Sequence, residues 1–197
     1  MRKEALFGDD IFAVHEFLTP VECDGLIVTA EAVGFADAPI NSGFGTAVRK
    51  DMRNNDRVMI DDVTLAAAWY DRARPLLPAR LGRWMPCGLN ERFRYYRYAP
   101  GQRFDWHLDG AFHRENGEAS QLTFMVYLTG GVAGGCTAFN LRRQGVVRDS
   151  DPLLRVLPVA GKAVVFRHDV LHTGKEVLDG VKYVVRSDVM CRRVAAE

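Results

Sequence analysis

The residues best suited to chemistry lie in the second half of the chain. The stretch "WHLDG", Trp106 to Gly110, sets His107 and Asp109 two residues apart. On a strand, residues i and i+2 point to the same face, so these two side chains would project together as ligands of one metal must. Alone, such a pair is more often two solvated polar groups than half of a metal site. A third donor is available in "FRHDVLHTG", where His168 and His172 compete. They share strand parity, so periodicity leaves both open. Two imidazoles and one carboxylate on one face form the facial triad of non-haem Fe(II) oxygenases, which keeps positions open for a co-substrate and O2.

Lys182 follows His172 by ten residues, past the Asp179-Gly180 turn and inside the apolar run "VKYVVRSDV". A lysine pointing inward from such a strand must face an anion. A dicarboxylate co-substrate that chelates the metal through its other end supplies one. Arg186 shares the face of Lys182, and either contacts co-substrate or substrate or pairs with Asp188.

The elements that must position these groups are legible in outline. The chain has 197 residues, 48% of them apolar, which suits one domain with a sizeable core. Its 26 basic and 25 acidic side chains leave a formal charge of +1, so no global field points to nucleic acid or an anionic membrane. Neither a signal peptide nor a membrane span is evident. Cys23, Cys87, Cys136 and Cys191 lie far apart without C-x-x-C spacing, which fits reduced thiols and a cytoplasmic location.

"IFAVHEFL" reads as a strand. Thr19, Pro20 and Glu22 then form a capping box opening a helix that ends near Gly34. Residues 36–57 lack a steady period and read as an exposed loop, the lip of a cleft. A second helix starts near Asp61 or Asp62 and stops before Pro75. From Asn90 onward the period becomes two, in seven short runs from "ERFRYYRY" to "KYVVRSDVMC" divided by turns such as Pro100-Gly101 and Gly134-Gly135. The expected class is mainly β with supporting N-terminal helices (α+β). Residues 1–89 form the helical support and lip, and 90–197 the β core, within a single domain over 1–197.

The ordered series "RYAPGQRFDWHLDG", "QLTFMVYLTGG", "GGCTAF" and "GKAVVFRHDVLHTGKEVLDGVKYVVRSDVM" resembles the 2-oxoglutarate- and Fe(II)-dependent oxygenases of the prolyl 4-hydroxylase-like group, over residues 90–193. The resemblance implies a double-stranded β-helix (jelly-roll) and the ligands His107, Asp109 and His172. It implies Fe(II), the co-substrate 2-oxoglutarate, O2 and, as an accessory reductant, ascorbate. Lys182 then partners the distal carboxylate of 2-oxoglutarate, Tyr127 hydrogen-bonds the same carboxylate, and Tyr98 faces the co-substrate. Cys136 stands where many relatives carry an acidic residue, and no role is assigned to it. A carboxylate at position 109, where related halogenases need a small residue, favours hydroxylation.

His168 reads as a support for the site or as structural, and His113 and His15 as ordinary. The leading function is hydroxylation of a peptidyl or free amino acid with release of succinate and CO2. The Arg/Tyr run "ERFRYYRYAPGQRF" supports an alternative, oxidative demethylation of alkylated nucleic acid, which the near-zero charge and the lysine at 182 disfavour. A non-catalytic jelly-roll sensor is a third reading. The basic segment "RKDMRNNDR", with Arg49, Lys50, Arg53 and Arg57, either contacts an acidic substrate or forms a solvated loop. Peptide or small-molecule partners are expected and membrane is not. Substrate and oligomeric state are not encoded in any pattern.

Overall fold

The computed structural model describes residues 1–42, 45–47, 49–142, 147–148 and 150–194, with 40–42 and 45–47 as backbone. The main elements are β1 (Arg2–Phe7), β2 (Ile11–His15), α1 (Pro20–Val33), β3 (Asp56–Asp61), α2 (Val63–Ala73), β4 (Trp84–Leu89), β5 (Arg92–Tyr98), β6 (Phe104–His107), β7 (Ala119–Tyr127), β8 (Thr137–Asn140), β9 (Leu153–Val156), β10 (Ala163–Arg167), β11 (His172–Gly174) and β12 (Lys182–Arg193).

The antiparallel strands form two facing layers. The large sheet runs β1-β2-β10-β7-β12-β5-β3, with Ala36–Asp37 on its far edge and β4 pairing the distal end of β12. The small sheet runs β9-β8-β11-β6. Alternation along the large sheet separates two cores. One face carries Phe93, Tyr95, Leu122, Phe124, Val126 and Val185 against the helices. The other turns Tyr96, Tyr98, Tyr127, Val164, Phe166 and Val184 toward Phe139 and Val156 of the small sheet.

Both helices begin where local chemistry places them. The Glu22 amide donates to Thr19 Oγ1 at 3.2 Å, and the Thr19 amide donates to Glu22 Oε2 at 2.7 Å, closing the expected capping box. The Asp62 carboxylate accepts from the Leu65 amide at 2.8 Å and caps α2. α2 buries Ala66, Trp69 and Ala73, one helical stripe, against the sheet. Trp69 meets Phe17 and Phe93 edge-on, each at 5.3 Å between ring centroids.

The seven expected runs after Asn90 are strands, and the double layer is the expected β class with two supporting helices. Residues 1–89 do more than support it, since β1 to β4 all belong to the large sheet. The segment 36–57 is likewise more than loop. Ala36–Asp37 pairs β3, and Ile40–Ser42 pairs Gly45–Ala47 as a hairpin. The pairing of the polar strand "DRVMID" is nonlocal, so it gains its ladder from β5 rather than from its own pattern.

Trp69 fills the junction between α2 and the sheet and is 2% exposed. Trp69→Ala is expected to lower unfolding free energy by about 3–5 kcal/mol in urea titration. A loss below about 1 kcal/mol would show that the helix layer does not depend on this ring.

Candidate metal centre

His107 closes β6 and His172 opens β11, and the two residues pair directly across the small sheet. The ladder ends at His107, so Asp109 is not placed by strand alternation as the i, i+2 spacing suggested. Instead its amide donates to the carbonyl of His168 at 3.2 Å, which draws the loop after β6 under the large sheet. The single apolar strand expected to carry both His168 and His172 is also divided. β10 ends at Arg167 in the large sheet and β11 starts at His172 in the small one. The crossing between sheets cancels any shared parity and sends the two histidines to different neighbours.

His172 joins His107 and Asp109. One donor atom from each lies within 4.8 Å of the other two. His172 Nε2 is 3.5 Å from one Asp109 oxygen, and His107 Nε2 is 3.8 Å from the other. Each imidazole donates from Nδ1 to a backbone carbonyl, of Asp105 at 2.7 Å and of Val170 at 2.9 Å. That bond fixes the tautomer and leaves the Nε2 lone pair facing the carboxylate. Burial, then the neighbouring His172, pushes His107 down to about 3, and burial also lowers His172. Both rings are therefore neutral at physiological pH, with the Nε2 lone pair free of a proton. Burial alone would raise Asp109, but Arg186 and the two histidines outweigh it and hold the carboxyl below its ordinary range. A buried set of two neutral imidazoles and one carboxylate fits a divalent iron of the facial-triad type.

The carboxylate is held on both oxygens. Thr123 Oγ1 donates to Oδ2 at 2.6 Å, and Arg186 Nη1 donates to Oδ1 at 2.6 Å. Because Thr123 spends its proton on Asp109, it accepts from His168 Nδ1 at 3.0 Å. His168 Nε2 then accepts from the Ser120 hydroxyl at 2.9 Å, and Ser120 Oγ accepts from the Phe112 amide at 2.8 Å. His168 is thus one link behind the aspartate. Arg186 also donates from Nη2 to Asp188 at 2.9 Å, and Asp188 accepts from Arg94 at 3.0 Å. Thr123, Ser120 and Arg94 were not singled out by sequence. The parity of Thr123 with Tyr127 was the available signal.

Lys182 lines the same cavity as the triad and is 2% exposed. Its Nζ donates to the Gly135 carbonyl at 2.9 Å and sits 4.1 Å from the Tyr98 ring centroid. Burial pushes it down to about 8. Tyr98 and Gly174 complete that end, and a side chain at Gly174 would approach the Tyr98 hydroxyl and Lys182 Nζ. Tyr127 lies behind this wall, its hydroxyl donating to Thr137 Oγ1 at 2.6 Å, while Thr137 itself lines the cavity. Phe104 stacks on His107 with centroids 3.6 Å apart, and Phe166 packs edge-on against His172 at 4.6 Å.

Residues 93–187 match the family model of the 2OG-Fe(II) oxygenase superfamily. The chain is 28% identical over 193 residues to prolyl 4-hydroxylase 1 of Arabidopsis thaliana, covering 88% of this chain and 66% of that protein, just under two thirds of its length. Among solved structures, a Pseudomonas putida prolyl-4-hydroxylase superposes with TM-score 0.66 at 20% identity, over 91% of this chain and 92% of that one. A Trichoplax adhaerens prolyl hydroxylase, solved with a hypoxia inducible factor peptide fragment, gives 0.70 at 15% identity over 94% and 85%. The viral collagen prolyl hydroxylase of Paramecium Bursaria Chlorella virus-1, solved with 2OG, gives 0.60 at 20% identity over 92% and 96%. These neighbours share the double-stranded β-helix. The strand core is thus similar over residues 93–187 to the 2OG-Fe(II) oxygenase superfamily, and its two-layer fold around the His-Asp-His centre is the fold of the solved prolyl hydroxylases.

Proposed function

We propose that this protein is a 2-oxoglutarate-dependent dioxygenase that hydroxylates a C–H bond of a prolyl or related amino-acid residue. The observation that carries this reading is one cavity with a buried N2O donor set at one end and a buried lysine at the other. Iron bound by His107, Asp109 and His172 supplies the redox chemistry, by which a substrate C–H, 2-oxoglutarate and O2 become C–OH, succinate and CO2. Lys182 pairs with the distal carboxylate of the co-substrate and Tyr98 flanks it. Thr137 stands between that carboxylate and Tyr127, so Tyr127 acts by orienting the threonine hydroxyl. Arg186, committed to Asp109 and Asp188, holds the aspartate rather than the co-substrate. Phe104, Phe139 and Phe166 pack around the imidazoles and keep water from the reacting groups.

Ascorbate belongs to this reading only as a reductant that keeps iron ferrous. The curated relative is a prolyl hydroxylase, which weighs against the nucleic-acid and non-catalytic alternatives. No helix among the described residues is long and apolar enough to cross a membrane.

With Fe(II), ascorbate and 2-oxoglutarate, slow succinate release is expected even before a substrate is supplied, and none would sink the enzyme assignment. His172→Ala should abolish Mn(II) binding in calorimetry, whereas His168→Ala should weaken it by roughly ten- to hundredfold, the size typical of a group behind a ligand. The reverse ranking would move the third ligand to His168. For Lys182, the charged form is the low-pH form. Affinity for 2-oxoglutarate should therefore be full below about 8 and decline as pH rises through that value. Affinity that is flat across the same range would remove the lysine from the anion site.

A further inference from the structure

A second opening adjoins the metal centre. His107 and Asp109 line both the inner cavity and an outer cleft of about 610 Å³. The outer cleft is walled by Arg53, Arg57, Arg94 and Arg186, and among the described residues its one acidic lining residue is Asp109. Cross-strand register explains the clustering. Arg57 on β3 faces Tyr96 on β5, and Arg94 on β5 faces Arg186 on β12. Residues 94 and 96 share a face, so three strands present their cations on the site side of the sheet.

The charges do not balance. Arg94 and Arg186 share Asp188, and Arg186 also takes Asp109, so two cations meet two carboxylates. Arg53 and Arg57 are left over. Arg53 is 5% exposed and sandwiched between the rings of Tyr96 and Phe104, at 4.6 and 4.3 Å from their centroids. Its Nε donates to Asn55 at 2.8 Å, but its buried Nη2 has no partner among the described residues. Arg57 is half-buried on β3 and makes no ion pair or side-chain hydrogen bond among the described residues. Burial, with Arg53 and Arg94 nearby, lowers its affinity for its proton. At the inner site, a divalent iron and a doubly charged co-substrate would cancel, with Lys182 a further cation there, so no negative charge is left over for the outer cleft. A net charge of about +2 therefore remains at the mouth, from the unmatched pair Arg53 and Arg57.

We propose that the outer cleft binds a carboxylate of the substrate, so that Arg53 and Arg57 select an acidic peptide or amino acid and hold it beside the iron ligands. The proposal rests on the oxygenase reading and adds the substrate's charge to it. A guanidinium fork matches a carboxylate in two hydrogen bonds, and a buried unpaired Nη is stabilised by gaining an acceptor. The stack of Arg53, Phe104 and His107 fixes the cation one ring away from the metal ligand. Phosphate polymers are the weaker match, because the chain as a whole carries only +1.

Binding is measured on protein loaded with Mn(II) and 2-oxoglutarate. The probes are a short proline peptide with Asp on both sides of the proline and its Asn twin, then free L-proline against L-prolinamide. Wild type should bind the carboxylate member of at least one pair roughly tenfold more tightly, a preference that shrinks with added salt. The pair that discriminates tells whether the carboxylate is a side chain or the substrate's own α-carboxylate. Arg57→Gln should bring the ratio close to one, and Arg57→Lys should restore part of it. Equal affinities in wild type, no binding, a salt-independent preference, an unchanged ratio in Arg57→Gln, or tighter binding of a single-stranded oligonucleotide would each overturn the proposal. Because this assay needs no turnover, its failure is distinct from a failure to release succinate.

Discussion

A carboxylate 4% exposed between two protein layers is the constraint around which the site is arranged. An isolated buried carboxylate is costly, so Asp109 must be met on both oxygens and from both sides. Thr123 and Arg186 come from the large sheet, and the two histidines from the small one. Arg186 is itself buried and needs Asp188, and Asp188 in turn takes Arg94. The alternating row Arg94, Asp188, Arg186, Asp109 is one charge network crossing β5, β12 and the loop after β6. Removing Arg186 would leave Asp109 buried without a guanidinium partner, which is far more costly than removing a surface pair.

The register of β12 sets the distances in this arrangement. Lys182, Val184, Arg186 and Asp188 lie on one face at the two-residue period, so one strand serves the lysine end of the cavity, the cavity wall, the Asp109 carboxylate and the network behind it. A slip by one residue would turn all of them toward the helix layer. The long pairings of β12 with β5 and β7 exclude such a slip, since each apolar position on the opposite face, Val185 and Val189 among them, is already packed.

Much of this was readable from the chain. The His-x-Asp pair, the later histidine and the lysine ten residues beyond it are residue types with few other reasons to recur in that order. Both helices announced themselves through their caps. Legibility failed where placement depends on partners distant in sequence. β3 and β4 take their ladders from strands far along the chain, and their own patterns are weak. Strand parity failed twice, at Asp109 and between His168 and His172, because the chain leaves one sheet at those points and periodicity holds only within one. Thr123 was invisible for a different reason. Its hydroxyl acquires meaning only when Asp109 and His168 arrive on either side of it.

The hold of Thr123 and Arg186 on Asp109 also bears on what the metal must supply. In small zinc domains the metal supplies the free energy of folding, and the apo chain has no structure to return to. Here the ligand carboxylate is compensated by the chain's own cation and hydroxyl, and both imidazoles are oriented by backbone carbonyls. The buried charge of the site is therefore offset within the polypeptide, and the ion is not needed to compensate it.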